Sequence, residues 1–402
     1  MAGSSFTEIR ISTEERKPEP NKLAPLALGF RPFFLLGIWF AVLLMLASLG
    51  GFATGIWHYN YFDLPLWHAH EMVFGYATAV IAGFLLTSVR NWTGLPTPSG
   101  RSLLLLALLW LAPRLLSALP MLPGAAFALL DLLFLPVLAV VIGRPLLKAK
   151  QQHNYPVPLL LLLLALCNIA VHLEVLGELE AVSRQALQVA VCLMVGLVAV
   201  IGGRVVPFFM QRGIGTRPAE NKLIEKMALP SMLLVAVSLA IGNPWMIINA
   251  ALLATVIHGL RLIGWFDRAV LREPMLWVLH LGYAWLVAGF LLYALAELLD
   301  LPTVQAVHAW TVGGIGMFTL GMIARVALGH TGRNIHALPW LPAAFMLLFI
   351  AALTRVFLPI IRPEWLDMSL HISATCWIIA FIIAGIRYSS ILLRARTDGK
   401  PG

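Results

Sequence analysis

The chain has 402 residues, of which 60% are hydrophobic and only 12% are charged. An ordinary soluble domain is about half apolar and a quarter charged, so this composition excludes a water-soluble globular fold. In a membrane protein the positions of the basic residues decide what the net charge of +9 means, so this charge does not by itself indicate nucleic-acid binding. The three cysteines have no CxxC spacing, which excludes a disulfide framework and a zinc knuckle.

Residues 1–30 are polar and carry charges of both signs, without the apolar stretch of a signal peptide, and we expect a short cytoplasmic tail. Apolar windows bounded by proline, glycine and charged residues then predict an all-α polytopic membrane protein with about twelve transmembrane helices. Residues 31–393 form this single transmembrane domain, and residues 394–402 form a C-terminal cytoplasmic tail. The predicted spans are 32–54, 66–89, 102–118, 124–142, 157–177, 185–209, 227–242, 244–264, 274–298, 303–328, 338–358 and 367–392.

The basic residues predict the orientation of these spans. With both termini in the cytoplasm, nearly all of the 28 lysines and arginines fall on the cytoplasmic side, as the positive-inside rule requires. The exceptions are Arg114, Arg184, Arg355 and Arg362. In this orientation His58, His68, His70, His172, His308 and His371 lie toward the outer face, and His258, His280, His330 and His336 lie toward the cytoplasm.

The densest group of candidate ligands is the string HAHEM, residues 68–72, at the start of the second span after Asp63 and Pro65, which suit a helix entry. On a regular helix His68 shares a face with Glu71 and Met72, whereas His70 points away. We therefore expect one imidazole to bind a metal and the other to have an orienting role, with Glu71 as an acceptor. The alternative is a wet, interfacial group. Gly75, Ala79 and Gly83 follow as a small-residue stripe for a neighbouring helix or a flat macrocycle.

Toward the cytoplasm, His258 and Arg261 lie near Trp265 on the eighth span, and Trp277, His280 and Tyr283 form a similar series on the ninth. Imidazoles suit haem iron and copper, so His258 and His280 are candidate ligands, and a hydrogen-bonded packing seam is the alternative.

Arginines end the sixth and tenth spans, in GGRVVPFF (202–209) and in HAWTVGGIGMFTLGMIARVALGHTGR (308–333). Arg204, Arg325 and Arg333 are candidates to bind carboxylates such as haem propionates, and simple positive-inside placement is the alternative. The glycines of both strings indicate close helix packing.

These strings, together with FRPFF (30–34), HAHEMVFGYATAVIAGFLLTSVRNWTG (68–94) and HGLRLIGW (258–265), closely resemble the NnrS family of bacterial membrane proteins. The resemblance implies a haem- and copper-containing protein of the bacterial cytoplasmic membrane, linked to nitric oxide, denitrification and nitrosative stress. The matching positions are His68, His70, Glu71, Met72, Arg204, His258, Arg261, His308, Arg325, His330 and Arg333. His280 and His371, which also lie in predicted spans, complete the set of candidate metal and cofactor ligands. The resemblance does not assign haem or copper to particular residues.

Two hypotheses follow. In the first, the chain is a metalloprotein that handles nitric oxide or a related small molecule within the lipid bilayer. In the second, it is a twelve-helix transporter exporting a metal or a small toxic product. Ion-coupled carriers usually place acids near mid-membrane, whereas the acids here fall mainly at loops and helix ends, so the metalloprotein is favoured. A sensor would need an output domain or a partner, and the tails are too short for the former.

Overall fold

The computed structural model describes residues 22–57, 61–116 and 123–400. Most of the predicted N-terminal tail, His58, the end of the third predicted span and the last two residues lie outside these ranges. Within them, eleven helices are long and apolar enough to cross a membrane. The chain is therefore an all-α polytopic membrane protein, as the composition predicts.

The long helices, two of which contain a π-helical segment, are numbered here in chain order. They are α1 (Phe30–Thr54), α2 (Leu64–Thr93), α3 (Gly100–Leu116), α4 (Gly124–Lys148), α5 (Pro156–Val175), α6 (Ser183–Ile214), α7 (Lys222–Ile241), α8 (Pro244–Trp265), α9 (Pro274–Leu298), α10 (Val304–His330), α11 (Leu341–Ile361) and α12 (Leu366–Leu393). Helix α3 has 17 described residues and falls outside the eleven. Several helices, such as α6, extend past their apolar window, because polar and basic residues continue a helix into the interface.

The first and last described segments of the chain lie at the same end of the bundle, here called the terminal end. Ala24 N donates to Leu393 O at 2.8 Å, and Ala395 N donates to Lys22 O at 2.9 Å. Arg31 of the FRPFF string is fully buried and donates from Nη1 to Leu392 O at 3.1 Å, so it satisfies the carbonyls that end α12. Because these two segments lie on the same side, the helices between them cross the membrane an even number of times.

Helices α2 and α10 form the centre of the bundle, since 89% and 94% of their apolar windows are buried. Asp63 caps α2 by accepting from Leu66 N at 2.8 Å, which confirms the predicted helix entry. Helix α2 becomes π-helical over Glu71–Ala77, directly after His70, and α10 becomes π-helical over Ala309–Gly316, directly after His308. Such segments are rare and frequently mark functional sites.

The small-residue stripe of α2 packs against another helix. A side chain at Gly75 would overlap Phe40 of α1, and one at Gly83 would overlap Phe34 of the same helix. The stripe therefore brings α1 against α2 and leaves no room there for a macrocycle. In α10, a side chain at Gly313 would likewise overlap Trp285 of α9, so the glycine allows these two helices to pack closely.

Candidate functional site

A large cavity opens among α1, α2, α6, α10, α11 and α12 at the end of the bundle opposite the termini, here called the far end. Its volume is about 690 Å³, within the usual range for small-molecule and cofactor sites. Its walls are mainly apolar, and they include His68, Met72, His308, His371 and Arg355. The fold therefore brings together four of the predicted metal ligands, from three helices, in one space.

His308 has one ring nitrogen free for a ligand. Its Nδ1 lies 2.7 Å from Val304 O, and because a carbonyl only accepts, Nδ1 carries the proton. In the neutral imidazole Nε2 then has the lone pair. Since the side chain lines the cavity, His308 is arranged as a metal ligand would be.

His68 reaches the same state by a different route. Its Nδ1 lies 2.9 Å from Ser48 Oγ, and the Ser48 hydroxyl donates its own proton to Leu44 O at 2.8 Å. When the Ser48 hydroxyl donates to Leu44 O, its oxygen accepts from the imidazole, so Nδ1 of His68 is protonated and Nε2 carries the lone pair. Two imidazoles on the two central helices, each hydrogen-bonded through Nδ1, thus line one cavity.

The acidic residues of the cavity wall already have partners. Asp63 caps α2, Glu174 accepts from Ser183 N at 2.6 Å, and Asp367 lies 3.6 Å from His371 Nε2 at the exposed rim. Arg355 Nη1, in contrast, is buried without a hydrogen-bond partner among the described residues. The cavity therefore has an excess of unpaired positive charge.

A second polar group lies behind α2, on the side away from the cavity lining. His70, Asp131 and His172 are all buried, and one ligand atom from each lies within 4.8 Å of the others. Asp131 Oδ2 is 3.3 Å from His70 Nε2 and 3.3 Å from His172 Nε2. A tetrahedral ion with ligands at about 2.1 Å separates them by about 3.4 Å, so this histidine-aspartate trio has the spacing of a metal site.

The trio belongs to a larger buried ion-pair network. Glu71 Oε1 lies 3.1 Å from His70 Nδ1, and Arg114 contacts both acids, at 3.0 Å from Glu71 Oε2 and 3.0 Å from Asp131 Oδ1. Asn168 donates to Asp131 Oδ2 at 2.8 Å and places its Oδ1 2.9 Å from His70 Nε2. Both nitrogens of His70 face acceptors, so a protonated His70 and Arg114 balance the two carboxylates.

Tyr61, in the loop before α2, closes the network toward the far end. Its hydroxyl lies 2.8 Å from His172 Nδ1. Burial, followed by the negative charge of Asp131, raises the pKa of the Tyr61 phenol above its ordinary value. The phenol therefore keeps its proton and donates it to His172, whose Nε2–H then faces Asp131.

The two predicted ligands nearer the terminal end have no free nitrogen. His258 Nδ1 lies 2.6 Å from Tyr283 OH, and its Nε2 lies 3.4 Å from Ser231 Oγ. His280 has its two nitrogens 2.9 Å from Leu276 O and 3.3 Å from Trp265 O. Both histidines are hydrogen-bonded to neighbouring groups, as the packing-seam alternative expects, and their role as metal ligands stays a prediction.

The predicted carboxylate-binding arginines are absent from the cavity wall. Arg204 Nη2 donates to His153 O at 3.0 Å, Arg261 forms an ion pair with Glu225, and Arg325 lies over the Phe209 ring at 4.1 Å. His330 and Arg333 lie at the terminal end, where Arg396 Nη1 donates to His330 O at 2.8 Å.

The expected shared face of His68 and Glu71 is not observed. The helix turns π-helical at Glu71, which changes the direction of the following side chains, so Glu71 contacts His70 while Met72 joins His68 at the cavity. The placement of the acids at loops and helix ends also needs correction, because Asp131 lies inside α4 with 3% of its surface exposed.

Sequence reasoning missed several residues of these sites, namely Ser48, Arg114, Asp131, Asn168 and Arg355. Two of them carried a usable signal. Arg114 and Arg355 are among the few basic residues on the side where the positive-inside rule predicts none, and a misplaced arginine is a candidate for a buried, paired or ligand-binding role.

The fold and these sites define a polytopic α-helical membrane protein with a histidine-lined cavity and a buried group able to hold a metal ion. The pattern of the family described as NnrS protein matches residues 24–396, nearly the whole chain. The chain belongs to the NnrS family. No curated protein matches it.

Proposed function

We propose that this chain is a haem- and copper-binding protein of the bacterial cytoplasmic membrane that acts in nitric oxide metabolism or in resistance to nitrosative stress. The observation that carries the proposal is that His68 and His308, each hydrogen-bonded through Nδ1, line one mainly apolar cavity of about 690 Å³. Membership of the NnrS family supports it.

The cavity fits haem by volume, by apolar walls and by ligand chemistry. His68 and His308 would bind the iron, and Met72 lines the same space. Bound haem supplies redox chemistry and, with one histidine coordinated, a position for a diatomic gas. The protein's own residues supply the mainly apolar walls and orient each imidazole through its Nδ1.

The histidine-aspartate trio fits copper, because imidazole nitrogens with one carboxylate are suitable ligands for this ion. His70, Asp131 and His172 would hold it, and the two imidazoles would give up the Nε2 protons that face Asp131, with Asn168 adjacent. Bound copper supplies one-electron exchange close to the cavity, since the neighbouring residues Ala69, Met72 and Val73 of α2 line that cavity.

Nitric oxide is small and nearly apolar, so it partitions into the bilayer and needs no polar channel. Helices with many exposed leucines and isoleucines surround the sites, and the lipid bilayer is the environment they fit. A redox reaction of nitric oxide or a related nitrogen oxide is the activity to assay.

The test is an absorption spectrum of detergent-purified protein as isolated, after reduction and after addition of nitric oxide, with iron and copper quantified on the same sample. We expect a Soret band that shifts with the gas, and copper that is lost in His172→Ala but kept in His258→Ala. If protein expressed with haem and copper supplied contains neither metal and shows no Soret band, the proposal is wrong.

A transporter is the second candidate, and the buried network of Glu71, Arg114 and Asp131 favours it more than the sequence did. Uptake or efflux of copper or a small anion by proteoliposomes tests this function. Metal-free protein that transports such a solute, and stops when Asp131 becomes Asn, would establish it over the metalloprotein.

A further inference from the structure

We infer that Arg355 is the residue that binds a carboxylate of the ligand in the far-end cavity, and so fixes which edge of a planar, carboxylated macrocycle faces α11. The inference rests on the proposed function, since haem carries two carboxylates. It concerns a residue that the sequence reasoning treated only as a basic residue on the outer side.

Arg355 lies within α11 and lines the cavity, and its buried Nη1 has no hydrogen-bond acceptor among the described residues. A buried guanidinium nitrogen is costly unless an anion or an acceptor pairs with it. A carboxylate of a ligand bound in the cavity would supply that acceptor.

In the described part of the chain, no acid of the cavity wall pairs with Arg355. Asp63 and Glu174 accept from backbone N–H groups, and Asp367 lies at the rim beside His371. A carboxylate pairs with a guanidinium through two parallel hydrogen bonds, which suits a fixed arginine better than a mobile lysine.

Arg355 lines the same cavity as both candidate iron ligands, His68 and His308. A macrocycle bound through either imidazole then has an edge within reach of Arg355. The other cavity arginine, Arg184, is exposed and therefore pairs with an anion more weakly.

The experiment compares haem with its dimethyl ester, in which both carboxylates are neutral. Each is bound to detergent-purified apoprotein, and its release to excess apomyoglobin is timed. We expect the wild type to release the ester about 10- to 100-fold faster than haem, the factor that one charge-assisted pair contributes. This comparison needs no substitution, so it is independent of whether a variant folds.

The variants Arg355→Leu and Arg355→Lys assign the effect to this residue. Arg355→Leu should release haem and ester at the same fast rate, and Arg355→Lys should lie between. The matched control is Arg362→Leu, since Arg362 is a neighbouring arginine with 61% of its side chain exposed, and it should behave as wild type.

Each of the following outcomes overturns the inference. If the wild type binds haem and its ester equally well, or if Arg355→Leu keeps the wild-type discrimination, Arg355 does not bind a carboxylate while the proposed function stands. If the wild type binds neither compound, the proposed function fails and the inference falls with it. Loss of copurified phospholipid in Arg355→Leu, with haem release unchanged, would instead assign Arg355 to a lipid phosphate.

Discussion

Ser48 on α1 controls the proton of His68 on α2. The Ser48 Oγ–H donates to Leu44 O at 2.8 Å, and the same oxygen accepts from His68 Nδ1 at 2.9 Å. In this arrangement of protons the hydroxyl orients the imidazole and leaves the lone pair on Nε2 of a side chain that lines the cavity. Substitution of a residue that hydrogen-bonds a metal-binding histidine typically lowers metal affinity by about 10- to 100-fold.

Ser48→Ala should weaken haem binding by about 10-fold, because His68 loses the acceptor that holds its proton on Nδ1. Haem release and the Soret maximum are the measurements. Ser231→Ala is the matched control, since Ser231 makes the same pair of contacts, to Ala228 O and to His258. Equal effects of the two substitutions would contradict the role of Ser48.

His308→Ala should remove most of the bound haem, at least about 10-fold per folded chain, because it deletes one of the two free Nε2 atoms of the cavity. His280→Gln should retain haem, since both nitrogens of His280 face backbone carbonyls. Pyridine haemochrome spectra of size-fractionated protein give the ratio. Haem retention by His308→Ala with loss in His280→Gln would place the site at the terminal end.

Asp131→Asn should lower the free energy of unfolding by about 3–5 kcal/mol, because it leaves the positive charges of Arg114 and His70 with only Glu71 inside the bundle. Denaturant unfolding in detergent is the measurement. Glu364→Gln is the control: its side chain is 62% exposed, so a change within about 0.5 kcal/mol is expected.

The double variant Asp131→Leu with Arg114→Met separates charge from shape. Because it removes one charge of each sign, it should recover part of the stability lost in Asp131→Asn. If the double variant loses more free energy of unfolding than the two single variants lose together, then Asp131 and Arg114 do not compensate each other in the network.

Gly203→Ala should destabilise the protein by about 1–3 kcal/mol, since a Cβ atom there would overlap Arg261 Nη2. Arg261 cannot easily move, because it donates to Ala199 O at 2.7 Å and to Glu225 at 2.8 Å. Gly50→Ala is the control, since a Cβ atom at Gly50 meets nothing within 4 Å. Thermal midpoints in detergent should differ between the two, and equal midpoints would show that Arg261 yields.

The sequence predicted the fold well because each span is coded locally. A window of apolar residues has to cross the bilayer as a helix, since lipid offers its backbone no hydrogen-bond partner. Proline, glycine and the Asp63 cap marked the ends, and the even number of crossings fits the contact between Leu23 and Arg394. The π-helical turns after His70 and His308 were missed, because a single extra residue per turn leaves no mark in the composition.

The sequence by itself determined that this chain spans a membrane many times and that histidines are concentrated along it. Only the tertiary structure decided which imidazole nitrogen is free, because that depends on acceptors such as Ser48 and Val304, of which Ser48 lies on another helix. It also decided that Asp131 joins His70 and His172, and that Arg355 lines the far-end cavity with a buried Nη1 that has no partner among the described residues. Burial turns these side chains into sites, because a charge or lone pair removed from water must find its partner among the groups that packing brings beside it.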